Sequence, residues 1–163
     1  MQQPNNVTFA LYPYTKGFGY AILETPLTPI DYGVVRVRNQ YHALSLLRRI
    51  EKLVDFYRPV VVLVQDYYYA NKTTRAKKLI EGIVTIANHK NIKIYQYSRQ
   101  QVKDVFETFG ATNKFLIAGK IAEAIPSVAH RTPKPRKLWM MEDHNMPMFD
   151  AISLALTHNY LME

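Results

Sequence analysis

The stretch Val60-Val61-Val62-Leu63-Val64, which Gln65 and Asp66 follow, decides the fold class of this chain. An unbroken apolar run of this length is too short for a buried helix. Its richness in valine is typical of a parallel strand that is covered on both faces. The run therefore predicts a central strand of an α/β sheet.

Three shorter runs with strand-like composition precede this central strand, at Val7–Tyr12, Gly19–Leu23 and Tyr32–Val37. Turn-forming residues separate them, which predicts an antiparallel meander. The segment Tyr41–Phe56 then repeats apolar residues at helical spacing, with charged residues on the other face, and predicts an amphipathic helix that packs on the sheet. The apolar stripe of this helix consists of Leu44, Leu47, Ile50, Leu53 and Val54.

Helices and strands alternate after the central strand. The sequence predicts a helix from about Thr74 to Asn88 and a strand at Ile92–Tyr97. A further helix begins at Ser98, whose spacing from Gln101 is that of a capping box. This order predicts a mixed five-stranded sheet with helices on both faces.

Proline and capping signals divide the remaining chain. Asn113 or Thr112 is placed to cap a helix that runs to about Ile125, and the proline that follows stops it. The segment Pro126–Pro147 contains four prolines and many charges, so we predict a loop there. The final helix is predicted to start near Met148.

Length and charge narrow the class of protein. A chain of 163 residues, of which 48% are hydrophobic, is long enough for one buried core, and we expect residues 1–163 to form a single domain. The formal net charge of +8 favours a polyanionic partner, and 12 Tyr with 7 Phe offer faces for stacking on bases. Nucleic acid is therefore the first partner to consider, although a basic surface also serves solubility alone.

Other classes of protein are excluded or disfavoured. The chain has no cysteine, which excludes a disulfide framework and a thiolate zinc site. No stretch approaches the roughly 18 apolar residues of a membrane span, and the polar N-terminus does not resemble a signal peptide. We therefore expect a cytoplasmic protein that has no membrane contact.

The ends of the predicted strands indicate where chemistry would take place. In open α/β sheets, functional residues lie beyond the carboxyl ends of the parallel strands. Tyr12, Gln65 and Asp66 occupy such positions. Asp150 lies in the first turn of the final helix, where an acid also interacts favourably with the helix dipole. The residues alone leave open whether Asp150 is functional or only stabilises its helix.

The loop that follows the central strand combines tyrosines with basic residues between Tyr67 and Lys78. Aromatic faces stack on bases and cations pair with phosphates, so this loop is the best candidate for nucleic-acid binding. Packing of some tyrosines on the helix beneath is the alternative. The candidate binding residues of this loop are Tyr68, Lys72, Arg75, Lys77 and Lys78.

Several short motifs resemble one family. They are Arg99-Gln-Gln-Val-Lys103, followed by Gly110 and Lys114, and the ending Asp150-Ala151 through Leu156-Thr157-His158. With the strand order, these motifs resemble the RuvC-type Holliday-junction resolvases of the RNase H-like superfamily over nearly the whole chain. The resemblance implies an RNase H-like fold, metal-dependent cleavage of branched DNA, and a homodimer that incises both sides of a junction.

The resemblance also implies a metal site, and this sequence departs from it. In that family four acids, on the first and fourth strands and near the start of the last helix, bind two magnesium ions. Tyr12 stands at the first of these positions, Gln65 at the second and Pro147 at the third. Only Asp150 is retained. A neutral phenol or amide does little to neutralise two divalent cations.

Nearby acids offer a rearranged site. Asp66 adjoins Gln65 but reaches the site only if the strand ends or bulges there, because neighbouring strand residues face opposite ways. Glu142 and Asp143 precede the final helix, and a solvated acidic pair is the alternative for them. For an active protein we predict Asp150 and Asp66 as catalytic residues. The predicted ligands of Mg²⁺ or Mn²⁺ are Asp150, Asp66, Glu142 and Asp143.

The resemblance adds roles for DNA-binding residues. Tyr68 occupies the place of an aromatic residue that is pushed into the junction. Lys103 and Lys114 match basic positions of the family pattern, and Arg99 lies beside them. These residues join the loop described above as the predicted DNA-binding surface.

Two functions are consistent with these features. The first is a resolvase-related protein that binds branched or structured DNA, with Mg²⁺-dependent phosphodiester cleavage if the rearranged acids form a site. The second is a catalytically inactive RNase H-like module for protein–protein contacts. DNA binding through several lysines weakens steeply as salt rises, whereas an apolar interface does not. Salt dependence therefore separates the two functions.

Overall fold

The computed structural model describes residues 6–37, 42–66, 73–137 and 139–163. Within these ranges it contains one five-stranded mixed sheet with helices on both of its faces, as the sequence predicts. The predicted binding residues Tyr68 and Lys72 lie outside the described residues. No helix of the described ranges is long and apolar enough to cross a membrane.

The sheet has the predicted meander followed by two parallel strands. Its order is β3-β2-β1-β4-β5, with β1, β2 and β3 antiparallel and with β4 parallel to both of its neighbours. The apolar run forms β4, an interior strand with helices above and below, which explains why both of its faces are apolar. The strands are β1 (Thr8–Tyr14), β2 (Gly17–Thr25), β3 (Thr28–Arg36), β4 (Val61–Gln65) and β5 (Lys93–Tyr97).

The helices divide between the two faces of the sheet. They are α1 (Ala43–Tyr57), α2 (Thr74–His89), α3 (Arg99–Glu107), α4 (Lys114–Ala124) and α5 (Met146–Met162). α1 and α2 cover one face, and α3, α4 and α5 cover the other. Alternation along β1 supplies both cores, because Phe9 and Leu11 pack toward α1 and α2 while Ala10 packs toward α5.

Side-chain caps explain where two of the helices begin. Ser98 Oγ accepts a hydrogen bond from the Gln101 N–H at 3.1 Å, and Gln101 Oε1 accepts one from the Ser98 N–H, which completes the predicted capping box of α3. Asn113 caps α4 by accepting from the Leu116 N–H at 2.8 Å. These caps satisfy N–H groups that the first turn of a helix leaves unpaired.

The structure differs from the sequence prediction in three places. Part of the predicted 126–147 loop, Pro126–Arg131, forms a short 3₁₀ helix that buries Val128. Helix α5 begins at Met146, two residues early, because proline is tolerated in the first turn of a helix. In α1, Leu44 is 62% exposed and Leu46 is buried instead, since the contact with the sheet begins one turn later than the pattern indicates.

A close backbone contact at Gly19 positions α5. Gly19 pairs with Tyr12 in the β1–β2 ladder. A Cβ atom on Gly19 would lie 2.0 Å from the carbonyl oxygen of Pro147, so only glycine permits this approach. The missing side chain therefore lets the first turn of α5 settle beside the end of β1. Because α5 begins at Met146, Asp150 follows this first turn and does not lie in it as the sequence predicts.

We predict that Gly19→Ala destabilises the protein by about 3 kcal/mol, because the added methyl group meets backbone atoms that cannot rotate away. Gly119→Ala is the matched control: Gly119 lies in α4, and a Cβ there meets no atom within 4 Å. It should stabilise the protein by about 0.5–1 kcal/mol through helix propensity. Urea unfolding measures both changes. Equal stability of Gly19→Ala and the wild-type protein would contradict the packing constraint.

Candidate functional site

A cleft of about 480 Å³ opens at the carboxyl ends of β1 and β4. Tyr12 and Gln65, from these two strands, line it together with the first turns of α2 and α4 and the loop before α5. This is the sheet edge at which open α/β proteins place functional groups. The charged residues that line the cleft are Lys16, Arg36, Arg99, Lys114, Glu142 and Asp143.

Lys114 is the centre of the hydrogen bonding in this cleft. Its ammonium Nζ lies 2.9 Å from Asp150 Oδ2, 3.1 Å from the Tyr12 hydroxyl and 3.5 Å from Glu142 Oε1. Nζ also lies 5.0 Å from the centre of the Tyr12 ring. An ammonium group has three N–H donors, so these three oxygen atoms match its full donor capacity.

Burial and charge set the protonation of this group. Burial alone would lower the pKa of Lys114, but Asp150, Tyr12 and Glu142 together outweigh burial and raise the pKa above its ordinary value. Burial raises the pKa of Tyr12, and the Asp150 charge raises it further, so the phenol keeps its proton at neutral pH. Burial also raises the pKa of Asp150, whereas the Lys114 charge opposes that rise. A direct ion pair at 2.9 Å favours the ionised carboxylate.

Asp66 does not line the cleft. Leu63 of β4 packs toward α5 whereas Val62 and Val64 pack toward α1 and α2, and Gln65 lines the cleft on the Leu63 side. The Asp66 N–H donates to the Tyr97 carbonyl at 2.9 Å, which completes the pairing of Gln65 with Tyr97 at the end of β4. Alternation along the regular β4 ladder favours the other face of the sheet for Asp66. Its assignment as catalytic residue and metal ligand stays a prediction, and this geometry does not support it.

Glu142 and Asp143 do line the cleft, near its opening. Glu142 pairs with Lys114, and Asp143 accepts a hydrogen bond from the Asn145 N–H at 2.9 Å. The described ranges contain no group of three or more His, Asp or Glu side chains close enough together to hold a metal ion. These two acids stay predicted ligands.

The residues at the floor of the cleft do not fit a pair of divalent cations. Asp150 is already bound to an ammonium group, and Tyr12 is a protonated phenol. Gln65 is buried, and its Oε1 has no hydrogen-bond partner within the described part of the chain, but this oxygen carries no formal charge. Hard divalent cations are held mainly by carboxylates. The floor supplies one carboxylate, and that one is paired.

The predicted DNA-binding residues divide into two groups. Arg99 and Lys114 line the cleft. The remaining predicted cations of the described ranges do not line it: Arg75, Lys77 and Lys78 on the first two turns of α2, and Lys103, which is exposed on α3. The structure therefore brings together only part of the surface that the sequence predicts.

Several residues of the cleft region are missing from the sequence prediction. Arg36 lies at the end of β3, and its Nε donates to the Tyr14 hydroxyl at 3.0 Å, so both side chains line the cleft. The register of the β2–β3 hairpin could have located Arg36. Trp139, the single tryptophan, is 79% exposed and lies two residues before Met141, which lines the cleft.

His158 is a packing residue rather than a member of the site. Its Nδ1 lies 2.5 Å from the Tyr97 hydroxyl, and its ring lies 4.7 Å from the Tyr95 ring, centre to centre. Burial lowers the pKa of His158. Two turns of helix separate it from Asp150, so it does not line the cleft.

Comparisons with known proteins agree with the resemblance seen in the sequence. No protein-family model matches the chain. A curated relative, "Crossover junction endodeoxyribonuclease RuvC" of Protochlamydia amoebophila (strain UWE25), is 25% identical over 162 residues, which cover 93% of this chain and 89% of the relative. A second, from Legionella pneumophila subsp. pneumophila (strain Philadelphia 1), is 23% identical and covers 95% of this chain and 87% of its own length.

A solved structure has the same fold. The Thermus thermophilus RuvC structure aligns with a TM-score of 0.67 at 20% identity, over 96% of this chain and 95% of the other. The RNase H-like fold that the sequence predicts is thereby confirmed.

We predict that replacing Lys114 lowers the free energy of unfolding more than replacing its partner Asp150 does. Lys114→Met leaves a carboxylate buried without its counter-ion and should destabilise the protein by about 3 kcal/mol. Asp150→Asn leaves an ammonium that still reaches Glu142 and water, and should cost about 1 kcal/mol. Urea unfolding at neutral pH measures both. A larger cost for Asp150→Asn would contradict this assignment of the buried charge.

We predict that His158 makes stability fall as pH falls. Its pKa is lower in the folded protein than the ordinary value near 6.5, so the unfolded chain binds the proton first. Stability is therefore full above about pH 6.5 and is lost as pH falls toward the folded pKa, with a slope below about 1.4 kcal/mol per pH unit. His158→Gln should remove this component of the pH profile, measured by urea unfolding. An unchanged profile would contradict the prediction.

Proposed function

Since the chain is a relative of the RuvC-type Holliday-junction resolvases by sequence similarity and by fold, we propose that it binds branched DNA in the cleft at the ends of β1 and β4. We further propose that the protein does not cleave the bound DNA by two-metal hydrolysis. The names of the curated relatives describe crossover-junction endonucleases. Binding without cutting is the function that the cleft of this chain supports best.

The observation that carries the proposal is the charge distribution of the cleft. Four cations line it, Lys16, Arg36, Arg99 and Lys114, against the two acids Glu142 and Asp143. The whole chain has a formal net charge of +8. Phosphate groups that enter such a cleft release counterions, which supplies most of the affinity of proteins for nucleic acid. The cleft therefore favours a polyanion over an apolar or cationic ligand.

The chemistry of the floor argues against metal-assisted cleavage. Two-metal hydrolysis needs carboxylates that hold both ions beside the attacking and leaving oxygens. Tyr12 and Gln65 are neutral at two of the positions that the resemblance assigns to acids, and Lys114 neutralises Asp150. The residues of the floor can contact a phosphate group, but they lack the charge to hold ions that would activate water on it.

One solved structure supports the choice of branched DNA. "T. thermophilus RuvC in complex with Holliday junction substrate" aligns with this chain over 96% of its residues with a TM-score of 0.64, at 17% identity. A shared fold presents the corresponding sheet edge to a ligand in a similar way, although fold alone does not establish function. The homodimer expected from the resemblance and the cytoplasmic location are parts of the same proposal.

A protein-binding role is the second candidate, and one surface favours it. Phe109 at the end of α3 and Tyr160 on α5 pack edge to face while remaining 55% and 44% exposed. Leu161 and Met162, which follow Tyr160, are also exposed. This apolar patch lies away from the cleft, so the two candidate functions use different surfaces.

We predict that the protein binds a four-way DNA junction more tightly than linear duplex of the same length. Emission from Trp139 reports binding, since this single tryptophan is exposed and precedes Met141, which lines the cleft, by two residues. Arg99→Ala should weaken binding and lower the slope of log affinity against log salt by about one, because one phosphate contact is lost. Arg48→Ala is the matched control, since Arg48 is exposed on α1, on the opposite face of the sheet.

Two further measurements complete this experiment. Junction strands should remain uncut in Mg²⁺ or Mn²⁺, for the wild-type protein and for Asp150→Asn alike. Metal-dependent nicking that Asp150→Asn abolishes would show a working nuclease and contradict the proposal. Absence of junction binding at low salt would also contradict it and would favour the protein-binding role.

A further inference from the structure

The ammonium group of Lys114 occupies a position that is built for a cation. It contacts one oxygen each from β1, from α5 and from the loop before α5. Its side chain is 26% exposed and lines the cleft, whereas that of Asp150 is 6% exposed and lies directly beneath it, beside Tyr12, Gln65 and Arg99. The contacts reach across the fold from the first turn of α4 and do not depend on local chain geometry.

Charge at this point of the cleft is balanced without an added ion. Among the described residues, Asp150 is the only charged residue in the buried class, and the Lys114 ammonium cancels its charge. A divalent cation that approached Asp150 would first have to displace the ammonium, because like charges a few ångströms apart repel strongly where water is partly excluded. The buried Lys114–Asp150 pair carries no net charge as it stands, and the third contact of the ammonium is the exposed Glu142.

We propose that the Lys114 ammonium takes the place of a divalent cation at the floor of the cleft, so that a DNA phosphodiester binds there without metal. This inference rests on the proposed function. The ligand class is a phosphodiester oxygen, and its cationic contacts are the neighbouring Arg99, Arg36 and Lys16. Lys114 acts by cancelling the Asp150 charge, which would otherwise repel the phosphate.

The proposal assigns distinct roles to cations in one cleft. Arg99, Arg36 and Lys16 retain exposed surface toward the opening. They are therefore free to approach a phosphate group as charge-assisted hydrogen-bond donors. Lys114 directs its donors at protein oxygens. It therefore sets the electrostatic potential at the floor of the cleft and does not make the first contact with DNA.

The first test uses the wild-type protein and Mn²⁺ alone. Calorimetric titration should show no saturable Mn²⁺ binding that Asp150→Asn removes, and the melting temperature should be the same in Mn²⁺ and in excess EDTA. Saturable binding that depends on Asp150 would overturn the proposal. This test requires neither DNA nor a substitution at Lys114.

The second test compares junction affinity with and without metal. At equal ionic strength, the dissociation constants in excess EDTA and in Mg²⁺ should agree within about twofold, since the remaining difference is only screening. Junction binding that requires Mg²⁺ or Mn²⁺ would overturn the inference while leaving the proposed function intact. Absence of junction binding under both conditions would overturn the proposed function, and with it the inference that a DNA phosphodiester binds here.

The third test removes the ammonium. Lys114→Met should weaken junction binding in EDTA by about tenfold, because the uncompensated Asp150 charge then faces the phosphate. Lys120→Met is the matched control on the same helix: Lys120 pairs with Glu123 and lines a different cavity, so junction affinity should not change. Equal affinity of Lys114→Met and the wild-type protein would overturn the proposal.

The fourth test asks whether Lys114 excludes metal. Tyr12→Asp combined with Gln65→Glu adds two carboxylates at the floor, and this pair of substitutions is prepared with Lys114 and with Lys114→Met. The variant that lacks the ammonium should bind Mn²⁺ at least about tenfold more tightly. Equal Mn²⁺ affinities of the two variants would overturn the proposal. If Lys114→Met proteins do not fold, the Mn²⁺ titration of the wild-type protein still decides the question.

Discussion

Helix α5 is buried without interruption from Met146 to Ala155, and a carboxylate lies within this run. A charge in such surroundings must be paired or neutralised, because its loss of hydration costs several kcal/mol. Lys114 meets this requirement from the first turn of α4. Their ion pair joins α4, α5 and the end of β1, so the geometry of the whole cleft depends on it.

The same ion pair explains why the cleft differs from a metal site. In a carboxylate cluster the acids repel one another until cations enter, and the protein is stabilised by binding them. Here an amino group of the chain itself supplies the positive charge, and Tyr12 and Gln65 add no negative charge for it to balance. The ion pair that stabilises the floor therefore also lowers its affinity for divalent cations. The cations near the opening, Arg99, Arg36 and Lys16, remain available to phosphate.

Much of the fold was predictable because its signals are local. The valine-rich run of β4 indicates an interior strand, and the capping residues Ser98 and Asn113 mark the starts of α3 and α4 within one residue. The prediction was wrong where packing outweighs pattern. Leu44 has the spacing of the buried stripe but lies before the point at which α1 reaches the sheet, and Val128 is buried by a 3₁₀ turn that a proline-rich segment does not suggest.

The sequence by itself determined the element order and the basic character of the chain, and its resemblance to a known family indicated the fold and the neutral residues Tyr12, Gln65 and Pro147 at positions where that family has acids. Only the tertiary structure decided which charges meet. Lys114 is 36 residues from Asp150 and 102 from Tyr12 along the chain, yet its Nζ contacts both. Strand alternation and helix caps are encoded by neighbours in sequence, whereas an ion pair across three elements depends on how those elements pack. The backbone contact at Gly19 sets how α5 packs on the sheet, and no local sequence pattern predicts this contact.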